Sequence, residues 1–582
     1  MILLPHMPGV SLSLSAGDVA GNALPPQLST PSENATINLI RLLVERGVLA
    51  PEDSVDLIRQ AEREAQIARN QTTAIQTAAA EIRAATEEEA KFSDEDIRVT
   101  YVPEYVRQEI AADVRHELSQ RYSRFDDRER PESPEWIHRF RPYGDFRLRA
   151  EYINFPEGND STGAFTDFNA INTGAPFDLA GSVFPPVLNA DQDRDRTRLR
   201  VRFGFETDIE EDLTFRLRLA TGNGISPVST NQTLGSPGNF GKYQIWLDRA
   251  FLHYKMSPSA DLTLDLLAGR FENPFFSTSL IWDGDIGFDG IALRGRYEIN
   301  SDWSTFFTLG AFPVFNTALN FPSNRGDKFS SDDRWLYGAQ FGFDHTVNKN
   351  INLRASLALY EFSEVEGKLS TPFTPLSAAD AGDTDGRRPT FAQKGNTYMP
   401  LRQIAPAPEN NFGNSNQFQY FGLATPFRVA AASFRADFNH YEPVQVSVFG
   451  ELIQNLAADD GDIEALAVNN RGPEPAPGAL GRYEGGDLGW IAGVSVGDPL
   501  MNARGHWRVG LDYRYLESDA TVDAFTDSTW GLGGTNMKGV SLTGHYMITP
   551  SMTLGARWLS ASEIAGPRFR SDIINIDLST EF

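Results

Sequence analysis

The sequence predicts a mainly β protein: one closed antiparallel transmembrane β-barrel of about 16 strands over residues 140–582, preceded by an α-helical N-terminal region. Three observations lead there. From Phe140 onward apolar residues recur at every second position, in segments of about ten residues, the length of a tilted strand crossing a bilayer. Short turns alternate in places with long connections. The chain ends on an alternating segment whose last residue is the aromatic Phe582.

Composition sets the bounds. With 582 residues, at least two structural units are expected. No stretch approaches about 18 uncharged apolar residues, so a transmembrane helix is excluded on hydropathy. A barrel strand hides its apolar face in alternate positions and leaves window averages low. Cysteine is absent, which removes thiolate metal sites and Cys catalysis and suits an oxidising periplasm. The formal charge of -26, from 78 acidic and 52 basic residues, argues against nucleic-acid binding. The 49 Gly and 11% aromatic residues fit many strands, tight turns and an aromatic girdle.

Residues 1–35 read as a leader. Met1 to Leu14 is weakly apolar and Ala20 to Ala23 is rich in small residues, but no Lys or Arg precedes the apolar stretch. The expectation is the remnant of an export signal clipped by a mis-assigned start; a polar, unstructured leader is the alternative. Residues 36–125 read as a helical, coiled-coil region in the periplasm. Leu39, Leu42 and Leu43 share one side, and Gly47 sits at a stop. Pro51 restarts a helix, with Glu52 and Asp53 favourable near its positive end. Ile58, Ala61, Ala65, Ala68, Thr72, Ile75, Ala79 and Ile82 then step by three and four, a narrow heptad seam. The seam serves oligomerisation or cell-wall contact, or else packing on its own neighbour. A second helix, about Pro103 to Tyr122, follows the extended Val99–Val102. Charged, Pro-bearing sequence makes 126–139 the linker.

The barrel segments follow. Leu199, Val201, Phe203 and Phe205 alternate with Arg200, Arg202, Gly204 and Glu206. Leu213 to Leu219 alternate with Thr214, Arg216 and Arg218. Trp507 to Tyr515, Val540 to Ile548 and Met552 to Trp558 keep the same period. A soluble antiparallel sheet alternates too. More than about a dozen such segments without a helical layer would, however, split into smaller soluble domains, whereas a closed barrel keeps one pattern and has no edge. Short turns are expected at Ser257-Pro258 and Thr549-Pro550-Ser551, and long connections near 156–195, 224–241, 363–425 and 457–486. Ile574, Ile576, Leu578, Thr580 and Phe582 share one face, and Phe582 resembles the terminal signal read by barrel-assembly machinery.

Two stretches resemble the putative-porin family of outer-membrane channels: Leu266-Leu-Ala-Gly-Arg-Phe-Glu-Asn-Pro-Phe275 and Ile281-Trp-Asp-Gly-Asp-Ile-Gly-Phe-Asp-Gly-Ile-Ala-Leu-Arg294. The helical unit ending in Val99-Thr-Tyr-Val-Pro103 is similar to that family as well. The resemblance covers most of 36–582 and implies a barrel that passes solutes. It names no solute and carries over no catalytic residue.

No nucleophile elbow, H-E-x-x-H helix or phosphate-cradling Gly-Lys-Ser/Thr loop is present, so neither an enzyme nor a cofactor is expected. The eight His are scattered, and no metal site is expected. Arginine is the informative residue. Arg147, Arg149, Arg200, Arg202, Arg216, Arg218, Arg294 and Arg296 fall at every-second spacing opposite apolar neighbours. On the lipid side at mid-depth each would cost roughly 2–4 kcal/mol, so they are expected in the lumen or at the rims. There they either attract anions or brace the wall against carboxylates such as Glu151, Glu206, Asp248 and Glu298. Asp283, Asp285 and Asp289 are candidates for an inward loop that narrows the pore, a calcium site, or an Asp/Gly turn. Asp383, Asp385, Arg387 and Arg388 of the longest loop are further candidates.

The sequence therefore predicts an outer-membrane porin for passive diffusion of small hydrophilic solutes or ions. Its expected partners are membrane lipid, assembly machinery and further copies of itself, as a trimer. The alternatives are a plugged barrel working through its loops, as a surface-binding protein or enzyme, and a soluble secreted β-rich binding protein.

Overall fold

The computed structural model describes residues 139–582, apart from 317–325, 327 and 331. The leader, the helical region with its heptads and Val99–Pro103, and nearly all of the linker lie outside the described residues.

Sixteen strands form the wall. They are β1 (Phe140–Asn154), β2 (Arg194–Glu210), β3 (Leu213–Ala220), β4 (Trp246–Ser259), β5 (Leu262–Phe271), β6 (Phe288–Glu298), β7 (Trp303–Phe315) and β8 (Arg334–Asn348). Then come β9 (Ile351–Ser363), β10 (Phe427–Tyr441), β11 (Val444–Asn455), β12 (Leu488–Gly497), β13 (Trp507–Leu516), β14 (Met537–Thr549), β15 (Met552–Glu563) and β16 (Arg570–Glu581). Each pairs antiparallel with its sequence neighbours, from β1 with β2 through β15 with β16. The ring closes where β1 pairs with β16, from Asp145 opposite Glu581 to Asn154 opposite Asp572. Phe582 extends that seam: its N–H donates to the Gly144 carbonyl at 3.1 Å and its carbonyl accepts from the Gly144 N–H at 2.9 Å.

One end of the barrel carries mostly two- to four-residue turns, such as 260–261, 349–350 and 550–551. The other end carries the long loops 155–193, 221–245, 272–287, 364–426, 456–487 and 517–536. The short turn after Tyr254 falls at Ala260-Asp261, because β4 runs on through Ser257 and Pro258.

The two faces follow the period of two. In β1, Phe146, Leu148 and Tyr152 are exposed while Asp145, Arg149 and Glu151 are buried. Leu357 is 70% and Phe341 61% exposed, within a belt that continues through Leu309, Leu452, Leu511 and Ile576. A continuous apolar belt of this kind would drive association in water, but it matches lipid. Exposed Tyr254, Tyr297, Trp303, Tyr441, Trp507 and Tyr546 lie at the short-turn end of their strands. Tyr152, Trp246, Trp335, Tyr337 and Trp558 lie at the other end. These are two aromatic girdles, one at each rim.

The seam gives a test. A Cβ on Gly144 would stand 2.7 Å from the Arg202 carbonyl oxygen and 2.7 Å from the Phe582 ring, whereas one on Gly544 would meet nothing within 4 Å. Gly144→Val is expected to cost about 1–3 kcal/mol of overpacking. The folded, fast-migrating band of unheated gel samples should then be lost at a lower temperature, with Gly544→Val unchanged.

Candidate functional site: the barrel interior

The interior has two unlike walls. In the long-loop half of β5 to β9 the inward residues are mainly apolar: Leu267, Phe271, Phe288, Phe312, Leu336, Tyr360 and Phe362. On β1 to β4 and β13 to β16 they are largely charged. Loop 272–287 runs between the two. Its Phe275, Leu280, Ile281 and Trp282 are buried in the apolar cluster, with Phe275 edge-on to Tyr360 at 5.0 Å.

Polar contacts fix the path of this loop. The Phe276 N–H donates to Gln340 Oε1, and Gln340 Nε2 donates to the Phe276 carbonyl, both at 2.8 Å. Further along, Thr278 Oγ1 donates to Glu451 of β11 at 2.5 Å. Asp283 then accepts from the Ser528 N–H of loop 517–536 at 2.8 Å and from the Asp285 N–H at 2.7 Å. Burial, then the neighbouring Asp527 and Asp285, push the Asp283 carboxyl above the usual carboxylate range. Asp285 accepts from Thr230 Oγ1 at 2.9 Å and meets Arg202 at 3.3 Å and Arg200 at 3.6 Å. The loop thus reaches from the apolar wall to the charged one.

A β-bulge supports it. Arg218 faces Arg249 and Leu219 faces Leu247, so Asp248 is an extra residue in β4. Asp248 and Arg249 are consequently both buried, though adjacent in sequence. Arg249 donates to the carbonyls of Asp285 at 3.1 Å and Ile286 at 2.7 Å. A Cβ on Gly287 would lie 2.6 Å from the same guanidinium, so glycine there leaves room for it.

The predicted arginines are placed as follows. Arg149 makes a bidentate pair with Asp577 at 2.6 and 2.7 Å. Arg200 and Arg202 share Asp145 at 2.9 and 2.5 Å. Arg216 pairs with Glu206 and Arg218 with Asp248, both at 2.6 Å. Arg294 reaches Asp265 at 3.5 Å, and Arg296 holds Glu298 at 2.6 Å and Asp344 at 2.7 Å. Arg147 differs, donating to the neutral Asn231 Oδ1 at 2.6 Å. Of the three aspartates, Asp283 and Asp285 come together. Asp289 stands apart on β6, half exposed and paired with Arg270 at 2.7 Å. Within loop 364–426, Asp385 is held by Arg402 and Arg387 by Asp332. Among the described residues no group of three or more His, Asp or Glu is arranged to hold a metal ion.

Sequence reasoning passed over several interior charges. Arg196 and Arg198 bind Glu151 from β2, but an alternation read only from Leu199 cuts their strand short. The run Arg194-x-Arg196-x-Arg198-x-Arg200-x-Arg202 was the available signal. Arg514, paired with Asp512 at 2.8 Å and Asp527 at 2.9 Å, and Arg557 stand on strands whose alternation was plain. Arg249 carried no signal, because its inward turn depends on the bulge.

A closed wall of strands with an apolar outside and a charged inside defines a membrane-spanning β-barrel. The chain belongs to the family described as "Putative porin", whose model matches residues 33–582. No curated protein matches the sequence. Among solved structures it is similar to OprB of Pseudomonas putida, at 12% identity over 77% of this chain and 96% of that one, with a TM-score of 0.39. It is also similar to the outer membrane channel DcaP of Acinetobacter baumannii, at 11% identity, 76% and 97% coverage and a TM-score of 0.36. OmpF of Salmonella typhi matches at 10% identity, 76% and 97% coverage and a TM-score of 0.33.

Arg249→Met keeps the bulk of the side chain and removes both donors to the crossing loop. Each such charge-assisted bond is worth roughly 1.5–3 kcal/mol. Hydrogen exchange at the Asp283 and Asp285 amides should accelerate tenfold or more, at about 1.4 kcal/mol per decade, while strand amides hold. Unchanged exchange at those two amides would mean that the loop docks without Arg249.

Proposed function

We propose that the protein is an outer-membrane porin that lets small hydrophilic solutes or ions diffuse passively through a water-filled lumen. The supporting observation is the pair of unlike walls, apolar and charged, with loop 272–287 narrowing the space between them. In this reading Arg147, Arg149, Arg200 and Arg202 line the narrowest part with Asp283 and Asp285. Arg218 stands beside the bulge that supports the loop, and Arg216, Arg294 and Arg296 lie further towards the short-turn end. Most of these guanidinium groups brace carboxylates and add little net charge. Arg147 and Arg557 make no ion pair among the described residues and supply the free positive field. Phe582 is read by the assembly machinery, the N-terminal region stands in the periplasm, and the barrels associate as a homotrimer.

A second reading has an observation of its own. Tyr398, Leu401 and Phe421 of loop 364–426 and Val522 of loop 517–536 are buried in the same cluster as the crossing loop. Such a cap would suit a plugged barrel that works through its loops.

Planar-bilayer recording separates the two. The porin reading expects stable conductance steps with anions preferred, and a closed barrel would give none. A unit charge about 10 Å from a permeating ion in water is worth about 0.4 kcal/mol, about twofold in partitioning. Arg147→Gln and Arg557→Gln should each lower the chloride-to-potassium permeability ratio by about that factor. Ratios that stay put would assign both residues to bracing.

A further inference from the structure

A cavity of about 660 Å³ opens at the long-loop end, between strands β1 and β2, loops 155–193, 364–426 and 456–487, and the tops of β14 to β16. That volume falls within the range of small-molecule sites. One flank is aromatic. Phe569 meets Phe155 at 6.0 Å and Phe165 at 5.8 Å, both edge-on. Lys394 lies over this cluster, with its Nζ 4.5 Å from the Phe569 centroid.

The lysine is under-partnered for where it sits. An ammonium has three donors. Among the described residues its Nζ donates only to the thioether sulfur of Met537, a weak acceptor, at 2.9 Å. Apart from Arg194, the other charged groups around the cavity are engaged. Glu151 is held by Arg196 and Arg198, and Arg471 by Glu464. Asp167 caps the short helix Phe168–Thr173, and Glu563 accepts from the Phe569 N–H. Arg194 is exposed. Asp523, behind the lysine on loop 517–536, accepts from the Tyr398 hydroxyl at 3.4 Å and from backbone N–H groups of Gln393 and Ala524. Arg194, Arg196, Arg198, Lys394 and Arg471 give five lining cations, against the three carboxylates Glu151, Asp167 and Glu563.

We propose that Lys394 and the Phe155–Phe165–Phe569 cluster form a binding subsite for small aromatic carboxylates at the mouth of the barrel. The carboxylate takes the unused donors of Nζ and the ring stacks on the phenyl cluster. The cation excess among the lining residues favours an anion over a cation. This deepens the porin reading, on which it rests for a route inward: the subsite concentrates one solute class above the narrowing. Burial pushes Lys394 down to about 7, opposed in part by Asp523. An arriving carboxylate therefore raises the lysine's pKa and draws in a proton. Below pH about 7 the lysine is already charged and affinity is level; above it affinity falls as pH rises, up to the pKa of the liganded state.

The test uses the full chain in detergent, with benzoate as probe and benzamide as its neutral counterpart, by titration calorimetry. Wild type should prefer benzoate, and Lys394→Met should lose that preference, a drop of about tenfold or more for a charge-assisted bond. Equal affinity for the two probes, or an unaltered preference in K394M, overturns the proposal. If K394M fails to fold, wild type alone decides. Benzoate affinity should fall between pH 7 and 9, and its binding heat should vary with the buffer's ionisation enthalpy as a proton is taken up. A flat profile with buffer-independent heat overturns the subsite. Conductance without benzoate preference defeats the subsite and leaves the porin reading standing. Benzoate preference without conductance upholds the subsite and defeats the porin reading.

Discussion

Backbone N–H and C=O groups find no water in hydrocarbon, and each one left unpaired there costs several kcal/mol. The wall must therefore close on itself, and the seam between β1 and β16 is where it does so. Every other feature of the barrel inherits from that closure. A closed ladder has one outside and one inside, so the period of two in the sequence becomes a partition between solvents. Leu148 faces out and Arg149 in because they are neighbours on one strand. The exchange of bonds between Gly144 and Phe582 carries the ladder to the last residue.

Closure also creates an interior that has to be filled or wetted, and this chain does both. The apolar side from β5 to β9 behaves as half of a protein core, and the other half is supplied by loop 272–287. The charged side behaves as a surface, but its ion pairs are partly buried. Removing one member of such a pair strands the other, at about 3–5 kcal/mol for a fully buried pair. Bracing and selectivity are thus two readings of one network. The bulge at Asp248 joins the two sides. It spends one extra residue to place Asp248 against Arg218 and Arg249 against the loop backbone.

How much of this could be read from the sequence follows from the range of each interaction. Strand faces and short turns are local, so the alternation Leu199 to Phe205 and the turn at Pro550 were legible directly. The inward loop was legible only as a cluster of Asp and Gly. Its partners Glu451 and Ser528 lie more than 170 residues away, at |i−j| of 173 and 245. Asp289 sits six residues from Asp283 but belongs to β6, because Phe288 already pairs with Phe271. Lys394 gave no sign at all, since its setting is assembled from Met537 and Phe569 on other loops and strands.

Net charge and local field part company in this molecule. The chain carries -26 overall, and on that figure alone an anion would be repelled. Much of the acidity, however, is spent at the rims and in the loops, in turns such as Glu210-Glu211-Asp212 and the helix start Asp459-Asp460. Interaction between exposed charges fades beyond a Debye length of about 8–10 Å. A solute inside the barrel therefore responds to the nearest few groups in a space of reduced dielectric. There Arg147 has an amide for a partner, and Lys394 has a sulfur and a ring. The interior can attract what the whole chain repels, because selectivity is set by which charges lack a counter-charge, not by their sum.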